Sequence, residues 1–236
     1  MKKKILFTGG NGNFGKVFRK INHNKKIIYP SSKKFDVTNL KKMDNFLKKE
    51  RPNYLIHCAA LARPMELHEE KINKSIDVNI IGTANVVKLC KKYKIKLVYF
   101  STNYIYPSKN GKYTEKSPIL PFNNYGWSKL GGEAAVHMYR NSLILRVCMT
   151  KKPFTHKKAF SNLVTNFIFQ DEVAEKLLKL IDKKGVMNVG GKPQSVYSFA
   201  KKYNKSIKKT FIRKNSKLNL PKNSTMEVKK FYKFYK

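Results

Sequence analysis

Cysteine, acidic residues and long apolar runs are all scarce in this 236-residue chain. The three cysteines, Cys58, Cys90 and Cys148, are odd in number, far apart and set in apolar stretches, with no C-x-x-C spacing. This excludes a disulfide framework and a cysteine-based metal or redox motif, and reads as buried thiols in a reducing, cytoplasmic compartment. No metal site is expected. No apolar run approaches the length of a bilayer span, and after Lys2-Lys3-Lys4 only Ile5-Leu6-Phe7 precede the first glycines. A soluble protein without a membrane partner is expected.

Acids number 14 against 51 basic residues, a formal charge of +37. So basic a chain is a candidate for polyanion binding. Yet 45 of the cations are Lys and only 6 are Arg, the residue that phosphate and base forks favour, and the lysines are spread in pairs along the sequence. That distribution suits a solvated surface, and no specific nucleic-acid partner is expected. Residues 201–236, with 12 Lys, one Arg and a single acid, Glu227, are denser and are the best candidate for a site that holds polyanions, with a solvated basic tail the preferred reading.

What the chain does have is a glycine turn in context. Lys4–Thr8 reads as a buried strand and runs into Gly9, Gly10, Asn11, Gly12, Asn13, Phe14 and Gly15. Gly9 allows the tight turn, Gly12 lets backbone N–H groups approach a pyrophosphate, and Gly15 lets the next helix pack close to the strand. Phe14, Val17, Phe18 and Ile21 lie at i, i+3, i+4 and i+7, one face of that helix, so the glycines precede a helix N-terminus, where the dipole attracts phosphate. A dinucleotide cofactor is expected. About 20 residues past the first glycine, Ser31, Ser32, Lys33 and Lys34 stand where a carboxylate would grip a ribose 2′-hydroxyl. Two hydroxyls and two ammoniums suit a 2′-phosphate, so NADP(H) is preferred and NAD(H) is the second choice.

Strand-like runs (Ile27–Tyr29, Tyr54–His57, Leu97–Phe100, Leu143–Val147) alternate with helix-periodic segments, including a long helix over Val78–Lys92 and another from about Tyr125. The alternation predicts an α/β fold, a Rossmann-type doubly wound parallel sheet over residues 1–147. A small, reduced C-terminal substrate lobe over 148–203 follows, holding a helix over Val173–Ile181, a strand at Val186–Val189 and a helix over Ser195–Tyr203. Residues 204–236 complete the chain as a weakly ordered tail. The stretch Tyr104–Asn124, with Pro107, Gly111, Pro118 and Pro121, predicts a long loop at a strand's carboxyl end, where ligands bind in open sheets.

Tyr125 and Lys129 lie at i and i+4 near a helix start, on one face. A phenol of pKa about 10 exchanges protons poorly near neutrality, and an adjacent ammonium favours the phenolate. Thr102, at a strand end, adds a hydroxyl. Arg63, after the Ala59-Ala60 strand end, together with Lys151 and Lys152, forms the candidate set for an anionic substrate.

These pieces resemble the extended short-chain dehydrogenase/reductases, and among them the dTDP-4-dehydrorhamnose reductase family. The matching segments are Thr8–Gly15, Phe35–Thr38, His57–Ala60, Asp77–Asn79, Ser101–Tyr106, Pro121–Glu133 and Ile144–Arg146, with Phe169–Ala174 and Met187–Gly191 beyond them. The resemblance implies that Tyr125 is the general acid, that Lys129 holds the nicotinamide ribose and tunes Tyr125, and that Thr102 hydrogen-bonds the substrate carbonyl. It implies that Asp36 and Val37 border the adenine, that Cys58, Ala59, Ala60 and Asn79 belong to the cofactor site, and that Asn103 and Tyr104 face the substrate. Related dehydratases carry an Asp-Glu pair where Asn103 and Tyr104 stand, which argues against water elimination. Cys148 and His156, the imaginable epimerase groups, read as a core thiol and a surface imidazole, and His57 as structural. The implied activity is NADPH-dependent reduction of a keto group, at C4, on a nucleotide-linked deoxysugar. Its rivals are a nucleotide-sugar epimerase with tightly held NAD and a non-catalytic cofactor-binding partner subunit. A homodimer is compatible with this reading.

Overall fold

Alternating strands and amphipathic helices build one parallel sheet with helices on both faces. The structure, a computed structural model, describes residues 3–21, 24–212 and 220–234. The chain runs through β1 (Lys4–Thr8), α1 (Asn13–Lys20), β2 (Lys26–Ile28), α2 (Leu40–Glu50) and β3 (Tyr54–His57). Two short helices, α3 (Leu67–Glu70) and α4 (Ile72–Ser75), lead through a π-helical stretch (Ile76–Ile81) into α5 (Gly82–Lys92), so helix begins earlier than the expected Val78. Then come β4 (Lys96–Thr102), α6 (Asn124–His137) and β5 (Ser142–Val147). The remainder comprises β6 (Met149–Thr150), β7 (Lys158–Phe160), β8 (Val164–Thr165), β9 (Ile168–Phe169), α7 (Gln170–Leu180), β10 (Gly185–Val189), β11 (Gln194–Ser195), α8 (Val196–Tyr203), β12 (Lys208–Thr210) and α9 (Lys229–Tyr232).

The central sheet has the order β2-β1-β3-β4-β5-β10, every pair parallel. Side chains alternate across it. Ile5 and Phe7 of β1 enter the layer filled by Phe14 and Phe18 of α1 and Leu177 of α7, whereas Leu6 enters the layer of Met43, Leu47, Val86, Leu89 and Val136. From β1 the chain goes outward to β2 and returns to β3 on the other side. This leaves a crevice between β1 and β3 at their carboxyl ends, the place where open α/β sheets bind ligands.

The C-terminal third differs from the expectation in two ways. The strand at Val186–Val189, assigned above to the second lobe, is part of β10, an edge strand of the central sheet paired with β5 from Gly185↔Leu143 to Val189↔Val147. Its apolar, β-branched residues suit a position on a buried parallel sheet, and α7 covers that sheet alongside α1. The lobe that remains is small, made of the strand pairs β6–β9, β7–β12 and β8–β11 over a cluster of Phe154, Phe169, Phe199 and Ile207. Nor do the described residues of 204–236 form a loose tail. Thr210 pairs with Phe160, Asn223 bridges to Val164 and Met226 to Tyr113, and Phe231 is wholly buried in the main core. Apolar anchors spaced among the lysines hold this return in place, and a charge count does not register them. Residues 213–219 and 235–236 of that segment lie outside the described residues.

Candidate active site

The glycine turn sits at the crevice. Gly9 has φ +75°, and a Cβ there would stand 2.8 Å from the Ala59 nitrogen, so the turn can approach the β3 end only as glycine. A Cβ on Gly15 would lie 2.5 Å from the Gly9 carbonyl oxygen, closing the strand–helix approach. Gly12 is the N-cap of α1 and offers no side-chain cap, which leaves the first helical N–H groups for an anion. Phe14 is packed among Phe7, Phe18 and Phe100, so only its backbone faces the cradle. Asn11 and Asn13 are exposed beside it.

A chain of hydrogen bonds fixes the opposite wall. Thr83 donates to the Asn79 carbonyl (2.7 Å) and accepts from His57 Nε2 (3.2 Å). His57 Nδ1 accepts from the Thr8 hydroxyl (2.9 Å), whose oxygen accepts from the Ala59 N–H (3.2 Å). Burial pushes the His57 pKa down to about 3, so the ring is neutral and structural. The Asn79 amide is consumed by Leu61 N and O and by the Ser128 hydroxyl, at 2.8 to 2.9 Å, and shapes the Ala59–Leu61 wall from beneath. Val37 is buried against Gly82, leaving Asp36, half-buried and bonded to Thr38, as the more accessible member of that pair. Ser31 closes a turn through its carbonyl to Lys34 and Phe35, with Ser32 and Lys33 exposed.

Thr102, Tyr125 and Lys129 converge beside this wall. Thr102 ends β4, buried, with its hydroxyl beside the Tyr125 phenol in the first turn of α6. Burial raises the Tyr125 pKa, while the Thr102 hydroxyl and the charge of Arg63 oppose the rise. The expected tuning cation, Lys129, is 3% exposed and holds its ammonium 4.2 Å from the Tyr99 ring centroid, with no hydrogen-bond acceptor in reach among the described residues. Burial pushes its pKa down to about 8, against the pull of Cys58 and Glu133. The charge that opposes the rise at the Tyr125 phenol is that of Arg63, and Lys129 is seated over the face of Tyr99. Helix α6 is locked to the sheet by a buried pair, Glu133 Oε1 with Arg146 Nη2 (2.7 Å) and Nε (3.0 Å), to which Ser101 adds a hydrogen bond.

His68 of α3 was not singled out in the sequence. It is buried, with Nδ1 2.7 Å from Ser75 Oγ and its ring centroid 5.1 Å from that of Tyr125. Its Nε2 is buried without a partner, and burial lowers its pKa, so it is neutral at pH 7. Only the contact of a short helix with α6 could have revealed it.

Beyond Tyr125 opens a cleft of about 470 Å³. Arg63, Tyr104 and Lys151, from the expected substrate set, line it, joined by Asn13 from the glycine turn. Lys152 does not. It turns to Asp171 in the first turn of α7 (3.6 Å) and lies over the Phe169 ring. Asn103 is buried, its Nδ2 directed to the Ser224 carbonyl at 3.4 Å, so it braces the C-terminal return. Lys158 and His156 are additional basic groups on the lining, and Phe154, Phe160 and Phe167 supply its apolar surface. No carboxylate is among the described lining residues. Cys148, bonded to Thr165 Oγ1 at 3.0 Å and pushed up to about 11 by burial, is a core thiol.

A glycine cradle at the β1/β3 switch point with a Thr, Tyr and Lys beside it defines a dinucleotide-binding Rossmann protein of the extended short-chain dehydrogenase/reductase kind. The chain belongs to the family described as RmlD substrate binding domain, which matches residues 3–185. It is 29% identical over 143 residues to methionine adenosyltransferase 2 subunit beta of Mus musculus, covering 57% of this chain and 42% of that protein. It is 28% identical over 141 residues to dTDP-4-keto-6-deoxy-D-glucose reductase of Streptomyces niveus, covering 58% and 48%. The matches thus span less than half the length of these relatives. In three dimensions it resembles dTDP-4-dehydrorhamnose reductase from Bacillus anthracis str. Ames, solved in complex with NADP, with a TM-score of 0.88 and 23% identity over 100% of this chain and 93% of the other.

Proposed function

We propose that this protein uses NADP(H), with NAD(H) as the weaker alternative, to reduce the keto group, at C4, of a nucleotide-linked deoxysugar. The observation that carries the reading is that Tyr125 adjoins Thr102 and feels the charge of Arg63, which lines a basic cleft with no carboxylate among its described lining residues. The nicotinamide, when bound, supplies the hydride. Gly9, Asn11, Gly12, Asn13, Phe14 and Gly15 hold the pyrophosphate through backbone N–H groups, and Cys58, Ala59 and Ala60 form the facing wall. The unpartnered ammonium of Lys129 takes the ribose hydroxyls.

Thr102 hydrogen-bonds the substrate carbonyl oxygen and Tyr125 gives it a proton. Because burial raises the Tyr125 pKa, the phenol is protonated at neutral pH, the state a reduction consumes. Thr102 and Arg63 then stabilise the phenolate left behind. In the cleft, Arg63 and Lys151 meet the substrate's phosphates, and the phenylalanines take its apolar parts.

The test is NADPH oxidation by the purified protein against a panel of 4-keto and 4-keto-6-deoxy nucleotide sugars. Turnover of at least one is expected. A second reading, a cofactor-binding partner subunit, draws on the relatives named as subunit beta of methionine adenosyltransferase 2. Tight cofactor binding without turnover of any panel member would favour it over the reductase.

A further inference from the structure

The last turn of α1 carries a guanidinium, that of Arg19, outside the backbone cradle. Lysines and arginines near a helix C-terminus ordinarily face the last carbonyls. Arg19 instead folds back along its own helix, in the direction helical side chains lean. Its guanidinium stacks 4.3 Å from the Tyr29 ring centroid, and Nη2 donates to Asn11 Oδ1 at 3.3 Å. Both groups press on the glycine turn. A Cβ placed on Gly10 would stand 2.8 Å from Arg19 Nη2 and 2.9 Å from the Tyr29 ring. The glycine here therefore makes room for this stack.

The chemistry of the stack is distinctive in a chain with 45 lysines and 6 arginines. Arg19 is exposed, and among the described residues no carboxylate pairs with it; its partners are an amide and an aromatic face. One of its five donors is engaged by Asn11, and the others remain for a ligand. Tyr29 follows β2 directly. In a sheet of this type the end of the second strand, next to the glycine turn, is where the adenosine ribose lies and where the group at its 2′-position is read. Of the expected readers, Ser31 is half-buried, and Ser32, Lys33 and Lys34 are exposed further along the turn, with no aromatic contact among the described residues.

We propose that Arg19, held over the Tyr29 ring and tethered by Asn11, is the residue that selects the 2′-phosphorylated cofactor. This rests on the reading of the glycine turn as a dinucleotide cradle. A planar fork pre-positioned on a ring loses little freedom on meeting a phosphate and can bond it bidentately, which a mobile lysine cannot.

The test is calorimetric titration of the full-length protein with NADPH, NADH, 2′,5′-ADP and 5′-AMP. Arg19→Ala should weaken NADPH and 2′,5′-ADP by about 10- to 100-fold, the loss of one or two charge-assisted hydrogen bonds. NADH and 5′-AMP should change by less than about threefold, which also reports that the variant is folded. Arg19→Lys should fall between the wild type and Arg19→Ala, and Lys33→Ala should shift the NADPH to NADH ratio by less than about threefold. An unchanged ratio in Arg19→Ala, or a larger loss in Lys33→Ala, would overturn the assignment while leaving the cradle intact. Failure of the wild type to bind any of the four ligands would overturn the cradle and this assignment together.

Discussion

The cofactor side and the substrate side of this site are assembled differently. The cofactor side is built from short stretches of sequence: seven residues of glycine turn, a strand end and one helical turn carrying Tyr125 and Lys129. The substrate side draws its wall from the loop after β3, the loop after β4, the β6–β9 lobe and the C-terminal return, segments as far apart as Arg63 and Ser224. A local motif tolerates divergence around it, since backbone geometry does the binding. A composite cleft depends on contacts between distant segments, so its specificity rests on the small lobe and on the return that closes it. Substitutions on the two sides should therefore separate cofactor binding from substrate binding.

The largest effect is expected where the two sides meet. Tyr125→Phe should lower kcat by about 10²–10⁴-fold, the usual worth of a general acid, with NADPH affinity changed by less than about threefold. Stopped-flow and equilibrium titration of the same preparation measure both. Retained turnover would dissolve the junction.

Lys129→Met tests the cofactor side through stability. The folded-state pKa of about 8 lies below the ordinary 10.5, so the buried ammonium costs stability below pH 8, and the cost is relieved as pH rises from about 8 towards 10.5. At neutral pH the cost is up to roughly 3 kcal/mol. Lys129→Met should thus be more stable than the wild type in urea at pH 7, with the difference shrinking towards pH 10.5, and should bind NADPH more weakly. A less stable variant with unchanged cofactor affinity would count against the role given to the ammonium.

On the substrate side, Asn166→Ala removes the buried amide that donates to the Met226 carbonyl (3.1 Å) and accepts from the Met226 N–H (3.2 Å). Leaving two buried backbone groups unpaired should cost about 2–4 kcal/mol. Binding of a nucleoside diphosphate should weaken as the return loosens, and NADPH affinity should hold. Calorimetry with the two ligands separates these outcomes.

The smallest effect divides cations that adjoin in sequence or function. Arg63→Ala should weaken nucleoside diphosphate binding about tenfold, the loss of one charge-assisted hydrogen bond. Lys152→Ala should change it by less than about twofold, because Lys152 is paired with Asp171 away from the cleft. Equal effects would mean that the substrate responds to bulk positive charge and not to a defined wall.

Much of the sheet and the cradle could be read from the sequence because period-two and 3.6-residue patterns and the spacing of Gly9, Gly12 and Gly15 are local. Exposure was harder to read. The side chains of Phe14, Val37, Asn79 and Asn103, expected at the cofactor and substrate sites, are spent on the core, on backbone partners or on the Ser128 hydroxyl, a matter decided by neighbours 18 to 121 residues away for the two amides. Arg19 was hidden by its place in a helix's last turn, among lysines that look equivalent until the fold-back onto Tyr29 is seen. The lysine-rich C-terminus gave the opposite error. Its anchors, Met226 and Phe231, are isolated apolar residues whose burial depends on Tyr113 and the main core.

The central claim is that a cofactor hydride and a Tyr125 proton meet on one keto group at the junction of the two sides. It is tested most directly by incubating the protein with NADPH deuterated at the transferring position of the nicotinamide and a 4-keto-6-deoxy nucleotide sugar, then locating the label by NMR. The account predicts a single deuterium on the former keto carbon, with transfer slowed about 10²–10⁴-fold in Tyr125→Phe. A sugar left unlabelled while both ligands are bound would contradict it.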